Sequence, residues 1–272
     1  MVTLSKKLIL SYSSHYGETF ENFIRIAYAR GFRAVQLTPD QAPNLYSEFP
    51  SQRRRELRRL VDELGIAVHL HNVFYDINLV SLVPEVRDLA LHISEQVFEL
   101  GQELSAQTIT VHPGYMFGGW RRDEVQRERF WREAVTPLRR IGEIAERTGI
   151  KLLLENGSYF ITTATGFRPR PLHLGIEPEE LRRILEMSGR KAGVVLDINK
   201  AVHSGIAPID FVKEIGERIE QLQISTVDRY REDIVAVIDA LENVGRELGF
   251  VFEGSREEVE AAVAVFSGPA GP

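Results

Sequence analysis

The stretch that decides the fold is Lys151–Asn156, KLLLEN, in which three leucines precede a carboxylate and an amide. A short apolar run without polar alternation is typical of a strand that is covered on both faces, as in the parallel sheets of α/β proteins. Glu155 therefore ends a buried strand, and a carboxylate in that position is costly unless a metal, a proton or an opposite charge compensates it. The stretch predicts a polar site at the end of its strand.

Seven further apolar runs alternate with segments whose apolar residues recur at helical spacing. Parallel strands joined by right-handed helical crossovers form either an open sheet or a closed barrel, and a count of eight favours the barrel. We therefore predict an α/β fold, a single (β/α)8 TIM barrel with its active site at the C-terminal ends of the strands. The predicted strands are 8–14, 34–37, 66–70, 108–111, 151–154, 192–196, 219–225 and 250–252, and the predicted helices are 19–31, 51–65, 84–104, 121–149, 177–189, 233–248 and a last one from 255.

Composition narrows the class of protein. The chain has 272 residues, no cysteine and a formal net charge of −6 with both signs mixed. The charge disfavours nucleic acid as a partner, and the lack of cysteine excludes disulfides and zinc–thiolate sites. No apolar run is long enough to span a bilayer and the N-terminus is unlike a signal peptide, so we expect a cytoplasmic protein without a membrane contact. We predict one TIM-barrel domain over 1–268 and a disordered tail over 269–272, and we leave a homodimer open.

Polar side chains stand at or just beyond the ends of six predicted strands. Two ionised carboxylates a few ångströms apart repel by about 4 kcal/mol at an effective dielectric near 20, so several of them in one cavity need compensation. A divalent metal supplies it, and oxygen and imidazole donors without thiolate suit manganese or zinc, with magnesium or cobalt as alternatives. The strand-end residues are His71, His112, Glu155 with Asn156, Asp197, Gln223 with Asp228 a little further on, and Glu253.

Four motifs follow one another along the chain. The segment 71–114, which begins HNVFYDINLV and ends HPG, is followed by LLLENG at 152–157, VVLDINKA at 194–201 and VFEG at 251–254. In their order and spacing they resemble the xylose isomerase-like barrel superfamily, which includes sugar epimerases and isomerases together with the endonuclease IV family of abasic-site nucleases. The first segment is similar to the nuclease branch in its histidine, its Ile-Asn-Leu and its His-Pro-Gly, and the other three are similar to both branches.

The resemblance implies two alternative metal sites. In a nuclease-like site, His71, His112 and Glu155 resemble the ligands of one zinc ion, and Glu155 bridges to a second ion that Asp197 and Glu253 also bind. In an epimerase-like site, Glu155, Asp197 and Glu253 resemble three of the four ligands of a single manganese-type ion. The epimerase resemblance also implies that Glu155 and Glu253 accept and donate a proton on opposite faces of the substrate.

This chain departs from the family pattern at three positions. Gln223 stands where the family has a histidine ligand, and its amide oxygen is a weaker ligand. Lys200 and Tyr230 stand where the nucleases have histidines of a third zinc site, so the resemblance implies that a trinuclear phosphodiesterase site is incomplete here. We hypothesise that the ammonium of Lys200 occupies the space of the missing cation and pairs with Asp228 or Asp197. The alternative is a lysine that extends into solvent.

Substrate contacts are predicted beside the metal ligands. Asn156 ends the opening stretch, and His203 lies in a predicted strand-to-helix loop from which it reaches the substrate. The connection 159–174 is long for this fold and carries Arg168 and Arg170, whose guanidinium groups suit a phosphate or carboxylate of a substrate. A wall histidine and solvated loop arginines are the alternatives.

The function that the resemblance implies is a metal-dependent isomerase or epimerase of a small sugar, sugar phosphate or related polyhydroxy carbonyl compound. A proton would leave the carbon next to a metal-chelated carbonyl, with Glu155, Glu253 and Lys200 as the predicted catalytic residues. The alternatives are an endonuclease IV-like phosphodiesterase acting on abasic-site DNA, and a barrel that has lost catalysis and binds a ligand or partner.

Overall fold

The computed structural model describes residues 6–15, 17–74, 76–116, 123–158, 160–163, 166–169, 172–242 and 248–266. Eight parallel strands form a closed barrel in which each strand pairs with its two neighbours in sequence and β8 pairs with β1, so the predicted (β/α)8 barrel is confirmed. The strands are β1 (Lys6–Ser11), β2 (Ala34–Leu37), β3 (Ala67–His71), β4 (Thr108–Val111), β5 (Lys151–Glu155), β6 (Gly193–Asp197), β7 (Ile219–Ile224) and β8 (Leu248–Phe252).

Helices connect the strands and cover the outside of the barrel. Along the chain they are α1 (Phe20–Ala29), α2 (Ser51–Leu64), α3 (Pro84–Glu103), α4 (Glu124–Thr148), α5 (Pro178–Ser188), α6 (Ile198–His203), α7 (Pro208–Ile215), α8 (Val227–Glu242) and α9 (Arg256–Phe266). Among the described residues, no helix is both long and apolar enough to cross a membrane.

Successive side chains of a strand point alternately out of the barrel and into it, so the protein has two separate interiors. Side chains that point outward, such as Leu154 of β5, join one large apolar core with the helices. Those that point inward include a small separate cluster of Ile9, Ala34 and Val251, which pack against one another across β1, β2 and β8. Two residues after Ile9, Ala34 and Val251, the inward-pointing residues are polar. They belong to the layer of side chains that forms the candidate site.

Several predicted boundaries were wrong. The first strand ends at Ser11 and a turn of 3-10 helix (Tyr12–His15) follows it, whereas the sequence predicted a strand to Ser14. The helix predicted at 233–248 occupies Val227–Glu242, and Leu248 belongs to β8. Helices α6 and α7 were not predicted, because segments of six and eight residues are too short to show a helical period clearly.

The long connection after β5 contains strands of its own. Phe160–Thr163 pairs antiparallel with Gly166–Pro169, and Leu172–His173 pairs antiparallel with Tyr115–Met116 from the connection after β4. Two backbone hydrogen bonds fasten the ends of this excursion, from the N–H of Gly157 to the carbonyl of Gly175 at 3.1 Å and from the N–H of Leu174 to the carbonyl of Gly114 at 2.9 Å.

Candidate active site

One half of the strand-end layer consists of His71, His112 and Glu155, which we call the histidine half. His71 ends β3, His112 follows β4 and Glu155 ends β5, so three adjacent strands deliver them to one place. The Nε2 atoms of both histidines lie 3.2 Å from the same atom, Oε2 of Glu155. One donor atom from each of the three residues falls within 4.8 Å of the others.

The surroundings of His71 favour its protonated form. Its Nδ1 lies 2.8 Å from the carbonyl oxygen of Asn72, which can only accept, so Nδ1 must donate, while Nε2 faces the carboxylate of Glu155. Burial opposes the charge, but the hydrogen bond to Glu155 and its negative charge outweigh burial and raise the pKa of His71. Burial lowers the pKa of His112 well below its ordinary value, and the positive charge of Lys200 adds to that effect. The surroundings thus favour a proton on His71 and not on His112 beside the buried Glu155.

The other half consists of Asp197, Lys200, Gln223 and Glu253, which we call the carboxylate half. The ammonium of Lys200 donates a hydrogen bond to Oε1 of Glu155 and lies 3.4 Å from Oδ2 of Asp197. The expected pairing of Lys200 with Asp197 is therefore present, with Glu155 as a second partner, and the solvent-exposed alternative is wrong.

Gln223 links the two acids of the carboxylate half. Its amide Nε2 donates to Oδ2 of Asp197 at 3.3 Å and to Oε2 of Glu253 at 2.8 Å. The other oxygen of Glu253 accepts a hydrogen bond from the hydroxyl of Ser11 at 3.0 Å. Gln223 therefore presents its nitrogen to the two carboxylates, whereas the sequence predicted that its oxygen would bind a metal.

The three acids of the layer differ in pKa. Burial opposes ionisation of Glu155, but Lys200 and the two histidines more than offset it and hold the pKa of Glu155 well below its ordinary value. Burial raises the pKa of Asp197 to about 6 despite the neighbouring ammonium of Lys200. Burial and the charge of Glu155 raise the pKa of Glu253. One ionised carboxylate thus stands beside two that are closer to neutral, a separation typical of acid–base sites.

Asn156 joins the two halves. Its side chain is fully buried, its Nδ2 donates to the carbonyl of Asp197 at 3.1 Å and its Oδ1 accepts from the N–H of Asp197 at 2.6 Å. These reciprocal bonds hold the end of β5 against the end of β6 and so fix Glu155 relative to Asp197. Its role in substrate binding stays a prediction beside this structural one.

The Ile77-Asn78-Leu79 and His112-Pro113-Gly114 motifs interlock. The amide of Asn78 donates to the carbonyl of Tyr115 at 2.9 Å and accepts from its N–H at 3.1 Å. Gly114 has a φ of 112°, and a Cβ there would lie 2.4 Å from Oδ1 of Asn78. The two motifs brace the turn that carries His112, which is a structural reason for their presence that requires no nucleic acid.

The remaining predicted residues lie further from the cluster or outside the described part. His203 lies in the last turn of α6, not in a loop, because α6 starts directly after β6. Its Nε2 lies 2.6 Å from the hydroxyl of Tyr230, at a kink in α8. Arg170 and the tail 269–272 are outside the described residues, as are the side chains of Arg168 and Asp228, so their roles stay predictions.

The sequence missed two features of the site. Phe74 packs against both histidines, with its ring centroid 5.1 Å from that of His71 and 4.8 Å from that of His112. Asp40, in the connection after β2, buries both carboxylate oxygens without a hydrogen-bond partner among the described residues. Burial raises the pKa of Asp40, although the charge of His71 opposes this. A residue three positions beyond its strand end, in a proline-containing connection, gave no signal in the sequence.

A family comparison agrees with this architecture. The model of xylose isomerase-like TIM barrels matches residues 24–263. The chain belongs to this family. A curated relative, the uncharacterized protein MJ1311 of Methanocaldococcus jannaschii, is 29% identical over 180 residues, which cover 65% of this chain and 55% of the relative. The matched part thus spans about half the length of that relative.

Solved structures of the xylose isomerase-like fold superpose over nearly the whole chain. A D-tagatose 3-epimerase-like protein gives a TM-score of 0.77 at 22% identity, with 96% of each chain covered. The 3-keto-D-glucoside 4-epimerase YcjR of E. coli gives 0.71 at 17%, covering 94% of this chain and 96% of its own. The probable 3-DHS dehydratase AsbF of Bacillus anthracis gives 0.68 at 20%, covering 97% and 99%. These neighbours are sugar epimerases and a dehydratase, and at such identities the likeness is one of fold.

The two halves of the site fit a metal ion differently. In the histidine half, two imidazole nitrogens and a carboxylate oxygen already point at one another, and the Nδ1 of His71 donates to a carbonyl, as metal-binding histidines commonly do. In the carboxylate half, the atoms that face the acids include the ammonium of Lys200 and the amide nitrogen of Gln223, which are donors and not ligands. The residues present therefore fit one divalent ion at the histidine half.

Proposed function

We propose that this protein is a metal-dependent isomerase or epimerase that moves a proton at the carbon next to a carbonyl group. Its substrate would be a small sugar, a sugar phosphate or a related polyhydroxy compound. The observation that carries the proposal is the convergence of His71, His112 and Glu155 within 4.8 Å, beside the carboxyl groups of Asp197 and Glu253, at the strand ends of a barrel of this family. Barrel enzymes carry their chemistry at that face.

In the proposed mechanism, the histidine half binds the metal ion and the carboxylate half transfers the proton. A divalent ion at His71, His112 and Glu155 would supply Lewis-acid polarisation of the substrate oxygens. Its binding requires His71 to lose the proton that now faces Glu155, so uptake of the ion should release protons.

Glu253 is the proposed proton-transferring group. Its carboxyl is positioned by Ser11 and Gln223, and its raised pKa brings it nearer to the pH at which a group can both accept and return a proton. Glu155 is strongly ionised and bonded to Lys200, so it contributes negative charge and a ligand oxygen more readily than basicity. The ammonium of Lys200 offers a fixed positive charge to an oxygen that becomes negative as the proton leaves.

The test is solvent exchange at carbon. Metal-free protein and protein reloaded with manganese, zinc, cobalt or magnesium would be incubated in deuterated buffer with a panel of aldoses, ketoses and their phosphates, and followed by NMR. We expect metal-dependent incorporation of deuterium next to the carbonyl, together with an isomer or epimer of the substrate. Metal-loaded protein that exchanges no proton in any member of the panel would argue against the proposal.

The endonuclease IV-like alternative has weaker support. Lys200 and Tyr230 occupy positions that match third-site histidines, and the nuclease-like Asn78 motif has a structural explanation. A cleavage assay on duplex DNA with an abasic site tests it directly. The binding-barrel alternative predicts instead a protein that takes up no stoichiometric metal.

A further inference from the structure

We propose that Lys200 and the amide of Gln223 together take the place of a second cation, so that this site holds one metal ion, at His71, His112 and Glu155, with a fixed ammonium beside it. The inference rests on the metal binding proposed above and not on the reaction. It concerns the stoichiometry of the site, for which the nuclease-like alternative implies a second ion at Glu155, Asp197 and Glu253.

Lys200 stands where a second ion would have to bind. Its ammonium contacts Oε1 of Glu155 and lies 3.4 Å from Oδ2 of Asp197. A first-row metal bound by the same two oxygens would lie about 2.0–2.2 Å from each of them. The ammonium nitrogen and such an ion cannot share that space, and their positive charges repel each other.

The backbone holds Lys200 in this position. Asp197 is the N-cap of α6, and its Oδ1 accepts the backbone N–H of Lys200 at 2.9 Å. The carboxylate of Asp197 therefore holds Lys200 at two points. Its Oδ1 binds the backbone N–H of Lys200, and its Oδ2 lies beside the ammonium. The ammonium of Lys200 therefore occupies the site as soon as α6 forms, and no side chain or backbone segment has to move.

Gln223 completes the compensation. Its Nε2 donates to Asp197 and Glu253, and its Oε1 is buried without a hydrogen-bond partner among the described residues. The reversed amide would point that oxygen at two carboxylates. With the amide in the observed orientation, every carboxylate oxygen of the carboxylate half has a donor nearby. These oxygens are Oδ1 and Oδ2 of Asp197 and Oε1 and Oε2 of Glu253.

Glu155 is the point where the two arrangements meet. Its Oε1 is bonded to Lys200, and its Oε2 faces the two histidine nitrogens at 3.2 Å. Of the two oxygens, only Oε2 faces imidazole nitrogens, and an imidazole nitrogen without a proton can bind a metal. Among the described residues, the geometry thus leaves a single set of donor atoms for an ion.

The experiment counts ions in wild-type protein and in Lys200→Met, with Lys200→Arg as the control that keeps the charge. Chelator-treated protein is titrated with Mn²⁺ and with Zn²⁺, and bound metal per chain is measured by elemental analysis and calorimetry. We expect one ion in the wild type and in Lys200→Arg, and two in Lys200→Met. The double variant with Gln223→His should bind the second ion at least tenfold more tightly than Lys200→Met alone, because an imidazole ligand replaces the amide.

Further variants locate the ions and guard against misfolding. Adding His112→Ala should remove the ion from the wild type but leave one in the Lys200→Met background. Lys200→Gln serves if circular dichroism shows that Lys200→Met does not fold. Two ions in the wild type, or a single ion in the folded double variant, would overturn the inference while leaving the proposed function intact. A wild type that binds no ion refutes the proposed metal dependence and this inference with it.

Discussion

The histidine half and the carboxylate half lie in one layer of one barrel, yet the chain treats their charges in opposite ways. In the histidine half, Nε2 of His71 faces Oε2 of Glu155, where its surroundings favour a proton, and a proton can be exchanged for a metal ion. In the carboxylate half, the compensation is covalently part of the chain, through Lys200 and Gln223. The difference teaches that acids in one layer can be compensated in two ways. In the proposed stoichiometry, the groups that already donate to these acids, and not the number of acids, determine how many ions bind.

The largest effect is expected at Glu155, which both halves share. Glu155→Gln removes the ligand oxygen of one half and the main partner of Lys200 in the other. We expect turnover to fall by roughly 10²- to 10⁴-fold, the range of a lost acid–base or charge-bearing group, with the circular dichroism spectrum unchanged. Glu186→Gln, on an exposed helix face, is the matched control and should keep full activity. Full activity in Glu155→Gln would remove both halves from the mechanism.

The next pair of variants separates the halves. Glu253→Gln should retain the metal and lower turnover on the order of 10²-fold, because it removes only the proton-transferring carboxyl. His112→Ala should lose the metal, since it removes one of the three ligand atoms. Elemental analysis and the deuterium-exchange assay, run on both variants, read out the two effects independently. Loss of metal in Glu253→Gln would place the ion in the carboxylate half and break the comparison.

Asn156→Ala tests the connection between the halves. The substitution leaves the backbone N–H and carbonyl of Asp197 without their buried partners. We expect the free energy of unfolding to fall by roughly 2–6 kcal/mol, since two buried groups lose a partner and each costs about 1–3 kcal/mol. Urea unfolding measures it, with exposed Asn22→Ala as the control. A change below about 1 kcal/mol would contradict the role of Asn156 as the link between β5 and β6.

The smallest effect concerns His69, two residues before His71 on β3. It has Thr108 and Gln221 as hydrogen-bond partners, and burial together with the charge of Lys7 lowers its pKa to about 3. Because the unfolded chain binds this proton near pH 6.5 and the folded chain does not, His69 makes the protein less stable as pH falls from about 6.5 towards 3.

His69→Gln should therefore reduce the loss of stability between about pH 7 and about pH 4.5 by about 3 kcal/mol, from roughly two pH units at 1.36 kcal/mol each. Urea unfolding at both pH values measures the difference, and His92→Gln, on the exposed face of α3, is the control. An unchanged pH dependence would mean that the fold does not oppose protonation of His69, and that the carboxylate beside His71 is not what distinguishes the two histidines.

The barrel and the strand-end acids could be predicted because they depend on local sequence: an apolar run gives a strand, and the residue after it lies at the strand end. The groups that donate hydrogen bonds to these acids could not be predicted in the same way. An amide carries a donor and an acceptor, so the sequence could not tell that Gln223 presents its nitrogen. The position of Lys200 depends on α6 starting directly at Asp197, which a six-residue helix does not reveal. Asp40 joins the site only through the tertiary fold.

The fastened excursion after β5 has a consequence for how this protein can change over evolution. The N–H of Gly157 bonds to the carbonyl of Gly175 and so joins its two ends, the N–H of Leu174 bonds to the carbonyl of Gly114, and the pair Phe160–Thr163 and Gly166–Pro169 forms between them. Doubling the length of a closed loop costs only about 0.6 kcal/mol in closure entropy. The chain between Gly157 and Leu172 can therefore be lengthened, shortened or exchanged at little cost in closure entropy. A lineage could acquire a different substrate range there while its charge-bearing strand ends stay as they are.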